Sequence, residues 1–227
     1  MPVVVRVTQP EAGRIEVTPD AAAPLVRRMF CIDWDGDAFT ALEEPVMREL
    51  RLRHPGLRPV LFATPWEALC WTLIGHRISM SQAARLKDAL RDAIGPEVEG
   101  RRAFPAPEAV LEQAAPGLPD IKAERVRALA RRGAAGELDA ELLRAMEPAE
   151  ARAWLERSPG IGPWSSAFAL IRGVGFPDLL PFAERRLAES VARHYGLPAP
   201  PDEAQLAEIS ARWTPFRAWA AFLLRAD

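Results

Sequence analysis

The sequence predicts a mostly α-helical protein with a small antiparallel β appendage at its N-terminus. Three observations predict it. Two capping boxes, Thr64-Pro65-Trp66-Glu67 and Ser79-Met80-Ser81-Gln82, each open a stretch whose apolar residues recur at helical spacing. Two short β-branched runs stand near the start and give way to helical patterning at about residue 24. The chain is 227 residues long and 49% hydrophobic, enough to bury a real core as one large domain or two small ones.

Taken in order, residues 3–7 (Val-Val-Val-Arg-Val) and 14–18 (Arg-Ile-Glu-Val-Thr) flank a Pro-Glu-Ala-Gly turn region, which reads as a hairpin. Residues 1–24 are accordingly set apart from a helical body spanning 25–227. The first well-marked helix follows Thr64, has Pro65 at its first position and carries Trp66, Leu69, Cys70, Leu73 and Ile74 on one stripe until Gly75 ends it. After the short segment Gly75-His76-Arg77-Ile78, Ser79 caps a second helix that turns Leu86, Leu90 and Ile94 inward and stops at Gly95. Residues 95–120 hold many Pro and Gly and predict turns and short helices, whereas 122–132 and 148–157 read as helices. Another helix begins near Glu184, and the last starts at Thr214-Pro215 and buries Phe216, Trp219, Ala220 and Leu223.

A net charge of −2 excludes a uniformly basic nucleic-acid binder but not one with a local basic face. No stretch of 18 apolar residues offers a membrane span, and no basic region followed by an apolar run offers an export signal. Cys31 and Cys70 are far apart and lack a zinc or iron-sulfur pattern, so reduced thiols in a cytosolic protein are expected. His54 and His194 have no ligand partner at helical spacing, and no transition-metal site is expected. Nothing points to an obligate dimer, so a monomer is the expectation.

The segment Ser158-Pro159-Gly160-Ile161-Gly162-Pro163-Trp164 lies between two helical stretches. Its glycines allow a sharp turn with unblocked amides, and Pro163 opens a helix whose positive dipole end points at that turn. Such a hairpin can hold a phosphate without lysine; taken by itself, it equally suits a plain connection between packed helices.

Residues Leu155 to Trp164 resemble the helix-hairpin-helix signature of the 3-methyladenine DNA glycosylase II family, within the helix-hairpin-helix DNA glycosylase superfamily. Val26 to Phe30 with Asp33, Pro65 to Ser79, Leu118 to Leu129 and Trp213 to Trp219 resemble other family stretches in order and spacing. The resemblance covers roughly 25–227 and implies a fold of two helical subdomains, with the catalytic hairpin region at about 148–192. Longer members carry a larger antiparallel sheet before this core, and residues 1–24 are expected to be a trimmed appendage with a structural role.

What the resemblance implies is a monofunctional base-excision repair enzyme that flips an alkylated purine out of double-stranded DNA and hydrolyses its N-glycosidic bond. No cofactor is implied, and the place of action would be the cytoplasm, on a bacterial-type nucleoid. A monovalent cation held by backbone carbonyls near Ile161 is allowed. Pro159, Gly160, Ile161 and Gly162 would bind DNA phosphate, and Trp164 and Phe168 would wall the base pocket, although their spacing also suits core packing. His76 and Arg77 occupy the family's DNA-probing loop: Arg77 would fill the gap left by the flipped base or be a solvated arginine, and His76 would read the opposite base or cap its helix. The catalytic carboxylate falls twenty residues after Trp164, at Glu184.

The sequence departs from the pattern here, because Pro181-Phe182-Ala183-Glu184 keeps the Pro and an acid but has Glu for Asp. The extra methylene adds about 1.5 Å of reach. Arg185 and Arg186 beside it would hold the carboxylate ionised or occupy it. Trp164 replaces the Lys of strand-cutting relatives, Arg225 stands near a further pocket aromatic position, and Asp178 precedes Pro181 too early to substitute for the acid. The alternative implied by the Glu is a DNA-damage-binding paralogue with weakened or lost excision.

Overall fold

A computed structural model of the chain describes residues 3–181 and 184–227, so Phe182 and Ala183 of the segment before Glu184 lie outside the described residues. The chain opens with strands β1 (Arg6–Glu11) and β2 (Arg14–Thr18), paired antiparallel with Arg6 opposite Thr18 and Glu11 opposite Arg14. The connection is therefore only Ala12-Gly13, tighter than the four-residue region expected from sequence. Pro10 is tolerated because the register is irregular between Thr8 and Glu11, where a lost ladder donor costs little.

Helices then follow almost without interruption. They are α1 (Ala23–Met29), α2 (Gly36–Thr40), α3 (Pro45–Arg53), α4 (Pro65–Gly75) and α5 (Met80–Ile94). A two-residue strand pair not anticipated in the Pro/Gly-rich stretch, β3 (Glu97–Val98) with β4 (Arg101–Arg102), precedes α6 (Pro107–Gln113). Next come α7 (Asp120–Ala134), α8 (Ala140–Arg144), α9 (Pro148–Glu156) and α10 (Pro163–Ala169), the last running into a π-helical turn at Leu170–Val174. The C-terminal part holds α11 (Arg185–Tyr195), α12 (Glu203–Ala211) and α13 (Arg217–Ala226).

Local chemistry accounts for the boundaries. Ser79 and Gln82 form the full reciprocal capping box of α5, but at α4 only Thr64 caps, because the Glu67 carboxylate is drawn to Lys87 Nζ at 2.6 Å. The last helix begins at Arg217 rather than Thr214, with its first amide donating to Asp178 Oδ1 at 3.2 Å.

Two hydrophobic cores form. One gathers Leu69, Leu73 and Ile74 of α4 with Leu90, Val126, Leu129 and Leu155, and the other gathers Met47, Leu50, Leu187, Val191, Trp213 and Trp219. The π-turn serves both, Leu170 and Val174 packing into the first core and Ile171 into the second. Buried Arg28 of α1 secures it, donating from Nη1 to Gly173 O at 2.6 Å and from Nη2 to Ala63 O. No helix among the described residues is long and apolar enough to cross a membrane.

Candidate active site

The hairpin between α9 and α10 is built as a turn with a buried anchor. Gly160 sits at φ +85°, a region that L side chains rarely adopt, while Gly162 is extended and would leave open space around a Cβ. Only the first glycine is thus demanded by backbone geometry. Ile161 points its side chain into the first core at 5% exposure, and its amide donates to Ser158 O at 3.0 Å. That amide is consumed inside the turn, so of the residues expected to bind DNA phosphate Ile161 does not have a free N–H to offer.

The hairpin is held from behind by Arg132 of α7. Its Nη1 donates to Ser158 Oγ at 2.7 Å and to Trp154 O at 3.0 Å, and its guanidinium lies 5.2 Å from the Trp154 ring centroid. Sequence reading missed this residue, since a contact between positions 26 apart leaves no local signal. Arg125 of the same helix reaches the outer side, with Cδ 2.9 Å from where a Gly160 Cβ would stand.

Next to the hairpin opens a cavity of about 630 Å³. Trp164 and Phe168, one turn apart on α10, stack on each other with centroids 5.3 Å apart and planes 22° from parallel. They form one continuous wall, so a ligand ring would lie against that wall rather than between the two. Trp164 remains 45% exposed, which a core residue would not be. Trp71 of α4, Met80 at the start of α5 and Phe222 of α13 line the cavity too. Trp71 was legible in principle, because it stands off the apolar stripe of its own helix and needs another reason to be aromatic.

Glu184 occupies the N-cap position of α11, makes no side-chain cap bond, and lines this cavity with its side chain 18% exposed. Its partner is neither neighbouring arginine. Arg185 pairs along the helix with Glu189 at 2.7 Å, whereas Arg225 of α13 places Nη1 2.8 Å from Glu184 Oε1. Arg172 of the π-turn also lines the cavity, its Nε and Nη2 both donating to Val60 O at 3.1 and 2.8 Å. Burial, with Arg225 adding repulsion, holds the Arg172 guanidinium below its ordinary pKa. Asp178 stands outside this site, gripped by Arg217 at 2.8 Å.

The loop between α4 and α5 places His76 and Arg77 at the surface, with Arg77 at φ +58°. His76 does not cap α4 with its ring. That task falls to Lys122, whose Nζ donates to Ile74 O at 2.7 Å and His76 O at 2.9 Å. Desolvation and the nearby Arg125, Arg77 and Lys122 push the His76 pKa down, favouring its neutral imidazole. Arg125 places Nη1 3.4 Å from His76 Nδ1 while its Cδ and Nε lie against Gly160, joining loop and hairpin in one basic surface. Among the described residues no cluster of His, Cys, Asp and Glu could hold a metal ion.

No family model matches the chain. The chain is similar to the DNA-3-methyladenine glycosylase of Bacillus subtilis (strain 168), 30% identical over 210 residues that span 88% of this chain and 69% of that protein. Among solved structures, the 3-methyladenine DNA-glycosylase from Archaeoglobus fulgidus has a TM-score of 0.82 at 21% identity, covering 97% of this chain and 81% of that one. The 8-oxoguanine glycosylase/lyase of Clostridium acetobutylicum, in complex with double-stranded DNA, has a TM-score of 0.71 at 15% identity, covering 97% and 79%. At those identities the two structures speak for the fold.

Proposed function

The chain belongs to the DNA-3-methyladenine glycosylase family of helix-hairpin-helix proteins, and on that premise we propose that it hydrolyses the N-glycosidic bond of alkylated purines in duplex DNA without cutting the strand. The observation that carries this reading is a half-buried carboxylate, Glu184, on the wall of an aromatic cavity beside the glycine hairpin. Gly160 and Gly162 would grip the backbone, Arg77 would fill the space the base vacates, and the base would lie on the Trp164 and Phe168 wall. The bond from the sugar C1′ to the base nitrogen breaks with its electron pair leaving on the base. The Glu184 carboxylate stabilises the positive charge developing on the sugar and takes a proton from the water that attacks C1′.

A strand-cutting reaction needs a free amine for a Schiff base. Both lysines are engaged elsewhere, Lys87 with Glu67 and Lys122 with the end of α4, which supports the monofunctional reading. A monovalent cation at the hairpin belongs to the same proposal. The Ile161 carbonyl has the right ligand chemistry for it, the Ser158 carbonyl already accepts the Ile161 amide, and no step runs through the ion.

The ion pair between Glu184 and Arg225 favours a second reading, in which the protein binds damaged DNA with its carboxylate occupied and releases nothing. Single-turnover base release from methylated duplex, with parallel binding to an abasic-site analogue at one salt concentration, separates the two. Excision predicts a loss of about a hundredfold or more in Glu184→Gln with binding retained. Binding by the native protein with no base release at all would sink the enzyme reading.

A further inference from the structure

The cavity that would take the base carries guanidinium groups on its aromatic lining, and they differ in freedom. Arg172 is pinned by two donations to the Val60 carbonyl. Arg225 lies in the last turn of α13 with 39% of its side chain exposed, and the partner it has in this cavity is the Glu184 carboxylate, so it can turn toward a ligand at the cost of one ion pair. Arg186 and Arg185, the latter already paired with Glu189, extend the same lining, so among the described residues Glu184 is the sole acid on it against the guanidinium groups of Arg172, Arg186 and Arg225. A purine that is already a cation would enter against like charge. A neutral purine would instead find a donor.

We propose that Arg225 sets which alkylated purines this site prefers, favouring neutral ones whose outer edge carries a carbonyl or ring-nitrogen acceptor over cationic N-alkylpurines. The inference rests on reading the cavity as the base pocket. When the guanidinium turns from Glu184 to the base, two things follow together. The carboxylate is freed to receive a proton from the water whose oxygen bonds C1′, and an N–H donor meets the base edge on which the electron pair of the broken C1′–N bond accumulates. The departing neutral base needs that help, because it leaves as an anion and then takes a proton from solvent. A cationic base leaves neutral and gains nothing from a donor.

The test uses the full chain and two duplexes, one carrying etheno-bridged adenine as the neutral lesion and one N7-methylguanine as the cation. Release is measured in single turnover. Affinity is measured separately with both lesions as 2′-fluoro nucleotides, which resist hydrolysis. Native protein is compared with Arg225→Met, which keeps the stem and loses the charge, and Arg225→Lys, which keeps the charge. The neutral-to-cationic preference is expected to fall about tenfold or more in Arg225→Met and to be largely retained in Arg225→Lys. An affinity ratio that shifts this way supports the proposal even if no base is released, a result that would instead remove the excision reading. A ratio unchanged by Arg225→Met in both measurements overturns the proposal even if release is fast, and equal binding of lesion and undamaged duplex overturns both.

Discussion

Glu184 faces the cavity because it declines the work its position offers. N-cap side chains usually accept a bond from the second or third amide of their helix, and Asp35, Asp139 and Asp202 do so at α2, α8 and α12. Glu184 makes no such bond at α11 and extends to Arg225. An unmade cap forgoes about 1 kcal/mol. A shorter acid would be drawn back to the helix, so Glu184→Asp is expected to raise the melting temperature slightly while slowing base release well below native. Both are read on one preparation, and a faster Asp variant would mean that the Glu is a displaced acid. Gly160 makes the residue-scale case for the hairpin. Alanine there must hold φ +85° and bring a Cβ to 3.1 Å from Leu73 Cδ2 as well as against Arg125. Gly160→Ala is expected to lose about 1–2 kcal/mol in urea unfolding and to weaken binding to abasic duplex. Unchanged affinity would mean that the hairpin does not touch DNA.

At the scale of elements, the π-turn after α10 decides where the pocket's charge stands. It crosses α4 so closely that a Cβ on Gly173 would lie 2.8 Å from Pro65 Cα and 3.0 Å from Ala68 Cβ, in backbone and core that cannot yield cheaply. Gly173→Ala is therefore expected to cost about 1–3 kcal/mol by overpacking and to lower base release through displacement of Arg172 and Phe168. Urea unfolding and single-turnover release test it together, and a variant as stable as native would show that the crossing has slack. Nothing in the sequence announces this turn, because its residues continue the apolar pattern of α10 and its partner, Arg28, lies 145 positions away from Gly173. The helix starts at Pro65, Met80 and Pro163 were legible, since each rests on a capping residue and a stripe within one segment. The hairpin and Glu184 were legible only as a family pattern. Arg225 was noticed as a departure, but its pairing with Glu184 joins α11 to α13 and has no local mark.

For the whole molecule, the question is whether two cores that share the π-turn open as one. Each core contains one buried free cysteine, Cys70 in the first and Cys31 in the second, so each thiol reports its own half. Burial pushes the Cys31 thiol up to about 11, partly offset by Arg144, Arg58 and Arg172, and pushes Cys70 well up too. Because both folded pKa values are raised, the stabilisation linked to the neutral thiols is full below the unfolded thiol pKa of 9.0 and is lost as pH climbs toward about 11. The urea midpoint should fall across that window, and fall less in Cys31→Ala. At pH 8 neither thiol should react with iodoacetamide until the protein opens. Leu170, Ile171 and Val174 tie the two cores within a single turn, so labelling of both cysteines is expected to begin at the same urea concentration. Cys31 labelling clearly before Cys70 would instead show that the second core, which joins α2 and α3 to α11 and α13, opens while the hairpin half stays folded. The cavity would then lose Arg225 and Glu184 together while keeping its Trp164 wall.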